Sequence, residues 1–126
     1  MFRSPQLTFY SDDLVRLREF YLGLGFEQRF QYPDDGPPVH VELVLDGFNL
    51  GIADVESARQ DHGLTPSLTG RAAELVLWCD DTDGEYARLT AAGCASLSAP
   101  HDWLETLRIA WIADPDGNPI QLVQKT

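Results

Sequence analysis

Positive charge is scarce in this chain: nine Lys and Arg stand against 20 Asp and Glu, for a formal net charge of −11. Such a surface repels phosphate backbones and anionic lipid headgroups, which excludes nucleic acid and anionic membranes as partners. A cationic small molecule is the partner this field favours, although acidity that serves only solubility gives the same composition. Cysteine is also rare. Cys79 and Cys94 are too few for a disulfide framework, and their apolar surroundings predict buried, reduced thiols. No apolar run reaches the roughly 18 residues of a membrane span, and the start MFRSPQLTFYSDD lacks the shape of a signal peptide, so a soluble, cytoplasmic protein is expected.

Chemistry-bearing motifs are missing too. There is no GxSxG elbow, no CxxC and no phosphate-cradling glycine loop, and Asp114, Asp116 and Asn118 lack the rest of a calcium loop. His40, His62 and His101 show no metal spacing; the last two are expected in loops, and the pair His101-Asp102 has no nucleophile placed with it. Asp80, Asp81 and Asp83 read as helix-capping acids rather than as a metal cluster.

What is present is a repeat. The stretch QLTFYSDDLVRLREFYLGLGF, residues 6–26, aligns without a gap on ELVLWCDDTDGEYARLTAAGC, residues 74–94. Asp12-Asp13 falls on Asp80-Asp81, Gly25 on Gly93, Tyr10 on Trp78 and Gln6 on Glu74. Each copy reads as an alternating strand, an acidic turn that caps a helix, an amphipathic helix, and a glycine that ends it. In the first helix Leu14, Leu17, Phe20 and Tyr21 recur at helical spacing; in the second Tyr86, Leu89 and Ala92 make a weaker stripe.

Further strands come after each helix. Residues 27–32, 39–45 and 48–53 read as strands in the first copy, with a turn at Asp46-Gly47. In the second, residues 95–106 read as a strand running into a loop that holds Trp103. A hairpin over 108–124 then turns at Asp114-Pro115-Asp116-Gly117-Asn118. One hairpin face carries Ala110, Ile112, Ile120 and Leu122, and the other Ile109, Trp111, Pro119, Gln121 and Val123. Residues 54–71 show little periodicity and are read as linking the copies. This divides one domain of 126 residues into a module of about 3–56, a connector of 57–71 and a module of about 72–126. Neither half buries its apolar face alone, so an α+β fold is expected: two tandem β-α-β-β-β modules, a curved mixed sheet with helices outside, and an open face that forms a cleft.

The two modules, the segment SDDLVRLREFYLGLGF and the segment IADPDGNPIQL together resemble the vicinal oxygen chelate superfamily of glyoxalases, extradiol dioxygenases, and fosfomycin and bleomycin resistance proteins. The resemblance covers nearly the whole chain and is closest in pattern to the metal-free resistance-type binders. It implies metal-ligand positions at Gln6, Gly51, Glu74 and Gln121. Gly51 supplies no side chain and two of the others are neutral amides, a poor set for a divalent ion, so no metal and no cofactor is expected. It also implies a homodimer with a shared cleft, for which exchange of modules is one arrangement.

Strand parity places Gln6 and Tyr10 on the face opposite the helix-packing residues, and Glu74, Trp78, Trp111 and Gln121 on the matching face of the second module. With Trp103, His40 and Glu42 they form the expected ligand-binding set, in which indoles stack on a flat ring and carboxylates attract a cation. Two functions are consistent with this set: a metal-free protein that sequesters an aromatic, antibiotic-like compound, or a metal-dependent lyase, isomerase or dioxygenase.

Overall fold

Asp13 and Asp81, matched in the repeat, perform the same task in the computed structural model, which describes every residue except Phe2. Each is an N-cap with non-helical backbone, at φ −143° and −148°, whose carboxylate accepts the backbone N–H three residues on, from Arg16 and from Gly84. Helix α1 (Leu14–Gly23) and helix α3 (Thr82–Ala91) begin there. Both run into a glycine at a left-handed φ, Gly25 at 109° and Gly93 at 108°, which stops helical pairing and turns the chain.

The chain divides into two compact units, Met1–Thr69 and Gly70–Thr126. In the first, strands β1 (Leu7–Ser11), β2 (Glu27–Tyr32), β3 (His40–Leu45) and β4 (Phe48–Asp54) make a mixed sheet in the order β1-β4-β3-β2. The β1/β4 pair is parallel, with Leu7 opposite Leu50 and Phe9 opposite Ile52; the other pairs are antiparallel. Leu17 and Tyr21 of α1 are fully buried with Val41, Leu43, Leu50 and Ile52. Tyr21 meets Phe26 edge-on at 5.5 Å between centroids, an arrangement favoured by the ring quadrupoles.

The second unit repeats this order with β5 (Leu75–Trp78), β6 (Ser96–Trp103), β7 (Leu107–Ala113) and β8 (Pro119–Lys125), arranged β5-β8-β7-β6. Leu75 pairs with Ile120 where Leu7 pairs with Leu50. Helix α3 packs on β7, β6 and β8, over a core that includes Ala110, Ile112, Ile120 and Leu122.

Several expectations are corrected. Residues 54–71 are not all connector: Val55–His62 forms a third helix, α2, capped by Asp54, whose carboxylate accepts the Ser57 N–H, and ended by Gly63 at φ 68°. Only Val55 and Ala58 of this helix are buried, so its apolar period is too short to register in the sequence. His62 therefore ends a helix and His101 lies in β6, neither in a loop, and Trp103 is the last residue of β6. The cysteines are half-buried rather than buried, both as free thiols. The second face of the last hairpin is mixed: Ile109 and Val123 are buried beside half-buried Trp111 and Gln121. No helix among the described residues is long and apolar enough to cross a membrane.

Candidate functional site

Parity in the first sheet fixes which side chains face away from α1. Thr8 pairs with Gly51, Glu42 and Phe30 across the four strands, and Tyr10 with Ala53, His40 and Tyr32. These rows share one face. Helix α2 leaves β4 at Asp54 and flanks that face, enclosing a half-open cavity of about 750 Å³. Its walls are the aromatic and apolar side chains of Tyr10, Phe30, Tyr32, Pro33, Val39 and Leu64, with the polar groups Thr8, His40, Asp54, Ser57, Asp61 and His62. Phe30 and Tyr32 remain about half exposed, at 48% and 54%, as rings with an unfilled side do.

The polar groups already have partners that orient them. His40 Nε2 lies 3.1 Å from a Glu42 carboxylate oxygen, and its ring is 6.1 Å from Phe30. Ser57 donates its hydroxyl to Asp61 at 2.7 Å, and its backbone N–H to Asp54 at 3.0 Å.

Of the expected binding residues, Tyr10 and His40 line this cavity; Glu42 stands behind His40, and Gln6 lies just before β1 beside Gly51. Phe30, Tyr32 and the α2 residues lie outside the expected set. The helix signal that points to them is Asp54 followed by Ser57, with Gly63 closing the segment.

The remaining five candidates belong to the second unit. Trp111 Nε1 donates to Glu74 at 2.6 Å, and the His101 ring stacks on the indole at 6.1 Å and 26°. Gln121 is the cross-strand partner of Trp111. Trp78, 61% exposed, has the Lys125 ammonium 5.9 Å from its ring and borders a shallow hollow with Cys79 and Asp80. Trp78 and Trp103 stand on opposite edge strands of the sheet. Three strand spacings separate those strands by about 14 Å, so one flat ring does not touch all three indoles within this sheet.

The residues fit a metal poorly. A Cβ built on Gly51 would meet Thr8 Oγ1 at 2.5 Å, so the position has no donor, and a side chain there would have to displace Thr8. Glu74, the one carboxylate among the four positions, is engaged by the Trp111 indole, and Gln6 and Gln121 offer neutral amides. No group of three or more His, Cys, Asp or Glu that could hold an ion occurs among the described residues.

Comparison with known proteins agrees with this architecture. The model of the Glyoxalase/Bleomycin resistance protein/Dioxygenase superfamily matches residues 3–122. No curated protein matches. Among solved structures, a member of that superfamily from Sphaerobacter thermophilus has a TM-score of 0.73 at 26% identity, over 98% of this chain and 98% of that one. A lactoylglutathione lyase from Agrobacterium tumefaciens has a TM-score of 0.71 at 19% identity, over 96% of this chain and 92% of its own. The fosfomycin resistance protein FosX from Mesorhizobium loti has 0.68 at 15%, over 100% of this chain and 94% of its own. A lyase and a resistance protein are thus similar in fold to nearly the same degree, and the choice between their kinds of activity rests on side chains. With both repeats inside the matched span and the tandem β-α-β-β-β order in place, the chain belongs to the glyoxalase/bleomycin resistance protein/dioxygenase superfamily.

Proposed function

We propose that this protein binds an aromatic, antibiotic-like small molecule and sequesters it without a metal. The observation that carries the reading is the cavity of the first module, where Tyr10, Phe30 and Tyr32 present rings to a space of about 750 Å³. That volume suits a drug-sized ligand, and partly exposed rings on one wall suit stacking. The donor chemistry supports the metal-free half of the reading. The resemblance implies a metal ligand of a lyase, isomerase or dioxygenase at the position where Gly51 stands against Thr8, and glycine offers none.

The test is a melting-temperature screen against planar aromatic compounds, with and without a chelator. A ligand at about a hundred times its Kd adds about 2.7 kcal/mol to stability, a readily measured rise. Tyr32→Ala should weaken that binding by about 1–3 kcal/mol, the range for losing one stacking partner, and cost little stability because the ring is half exposed. Elemental analysis near one transition-metal ion per chain, with loss of stability on chelation, would replace this reading with the enzyme.

A homodimer is part of the same proposal. Val76, Trp78, Leu97, Trp103 and Leu104 expose apolar surface on or next to edge strands β5 and β6, the kind of surface a second copy covers. Light scattering at micromolar concentration should report twice the mass of 14.1 kDa; a monomer would remove this part of the proposal and leave the cavity intact.

A further inference from the structure

We infer that α2 sets the charge preference of the first-module cavity: Asp61, supported by Asp54, selects an aromatic ligand that carries a basic nitrogen over a neutral ligand of the same shape. The inference rests on the cavity being the ligand site and adds which chemical class it prefers and which residues decide.

The charges around the cavity are one-sided. Two carboxylates line it, Asp54 and Asp61, and no Lys or Arg is among the described residues that do. Arg59, the cation of α2, is ion-paired with Glu56 instead. Glu42 stands behind the lining and faces His40 Nε2 at 3.1 Å. Asp54, Asp61 and Glu42 thus outnumber the two imidazoles, His40 and His62, whatever charge the imidazoles carry. The wall is therefore negative overall, and the negative side belongs to α2.

Position then separates the two acids. Asp54 is half-buried and spends one oxygen on the Ser57 N–H as helix cap. Asp61 lies about two turns further along, one turn beyond Ser57, and is exposed at the rim. One of its oxygens accepts the Ser57 hydroxyl, which orients the carboxylate. A ring seated against Tyr10, Phe30 and Tyr32 has α2 across the cavity from it, so a basic nitrogen on the far side of that ring meets Asp61. Sheet and helix thus divide the work: the strands supply the stacking wall and the helix supplies the charge. The acids singled out in the sequence are otherwise engaged, Glu42 by His40 and Glu74 by Trp111 in the other unit.

The test uses two tricyclic probes of matched size, the aminoacridinium cation and neutral acridone, with Kd measured by calorimetry at neutral pH. The intact protein should bind the cation about threefold to tenfold more tightly, a modest gap because Asp61 is exposed and screened, and added salt should narrow it. Asp61→Asn keeps the shape and the Ser57 contact; it should remove most of the gap while leaving acridone within about twofold. Glu74→Gln removes one charge from the second unit and should leave the gap unchanged. Equal affinities in the intact protein, or equal loss for both probes in Asp61→Asn, would overturn the charge preference while leaving the aromatic cavity standing. A drop with Glu74→Gln as large as that with Asp61→Asn would assign the preference to net charge and overturn the role of α2. Failure of both probes to bind folded protein would sink the cavity itself as the site.

Discussion

The two modules have the same strand order, the same capped helix and the same left-handed glycine after it, yet one forms a cavity and the other presents a flatter aromatic face. The difference lies at the end of β4. There the chain enters α2 at once, which walls the open face of the first sheet. Module one therefore has a half-open cavity with tyrosine and phenylalanine walls, and module two has indoles tied down by Glu74 and His101 or spread to the edges of the sheet. A duplicated scaffold fixes register and core, while an eight-residue helix decides which sheet bears the cavity.

The hairpin turns give the sharpest contrast and the largest expected effect. Module one turns at Asp46-Gly47, with both residues at positive φ, 48° and 81°, a two-residue turn made by backbone alone. In module two the Asp114 side chain is the hub. Its Oδ1 accepts the N–H groups of Asp116 and Asn118 at 2.9 and 2.8 Å, and its Oδ2 accepts Asn118 Nδ2 at 2.7 Å, with both side chains buried. Asp114→Ala leaves those donors without their acceptor and should cost about 2–4 kcal/mol in denaturant unfolding. Asp46→Gly, which relieves a positive φ, should stay within about 0.5 kcal/mol. Equal losses would show that the two turns are interchangeable.

Next in size is a position where the two modules differ in side chain. Gly51 occupies the position that corresponds to Gln121, and its missing Cβ is filled by Thr8 Oγ1. Gly51→Ala should destabilise by about 1–3 kcal/mol through overpacking, and adding Thr8→Ala should recover most of that. A neutral single substitution would mean that Thr8 moves aside freely, and position 51 would again be open to a metal-ligating side chain.

Asp13 and Asp81 test the equivalence itself. Each caps its helix through one backbone N–H, so Asp13→Ala and Asp81→Ala should each cost about 1 kcal/mol and agree within about 0.5 kcal/mol. A loss in only one module would break the symmetry at the level of local chemistry.

These cases also show which parts of the fold are legible from sequence. The capping aspartates, the helix-ending glycines and the strand alternation are each written within a few adjacent residues, and their recurrence at fixed spacing doubles the signal. Helix α2 is not, because two buried apolar positions in eight residues carry no period; its caps, Asp54 and Gly63, are the part that can be read. The site is legible only in part for the same reason. Tyr10 and His40 come from strand parity, whereas Phe30, Tyr32 and Asp61 meet only because β2 lies across the sheet from β1 and α2 folds back beside both. The tryptophans draw attention by size and rarity, but size does not tell an edge-strand indole such as Trp103 from a pocket wall.

The smallest expected effect concerns the thiols, one on each side of α3. Burial pushes the Cys94 thiol above its ordinary pKa, Arg88 opposes that shift and Asp114 adds to it. At a pH where an open cysteine is partly thiolate, Cys94 keeps its proton and should react with iodoacetamide more slowly than free cysteine, because only the thiolate attacks. The sign for stability comes from the same shift. In the unfolded chain the thiol ionises at about pH 8.5, while the folded state holds the proton to higher pH. The contribution of Cys94 is therefore complete below that point and is lost as pH rises through the folded pKa. Cys94→Ala should flatten the alkaline limb of the stability profile by a few tenths of a kcal/mol, since the side chain is only half-buried. Asp114→Asn, which removes one cause of the shift, should speed the labelling of Cys94. Labelling as fast as free cysteine in the intact protein would mean that α3 opens often enough to expose the thiol, and that the second module is held less firmly at this end than its buried turn suggests.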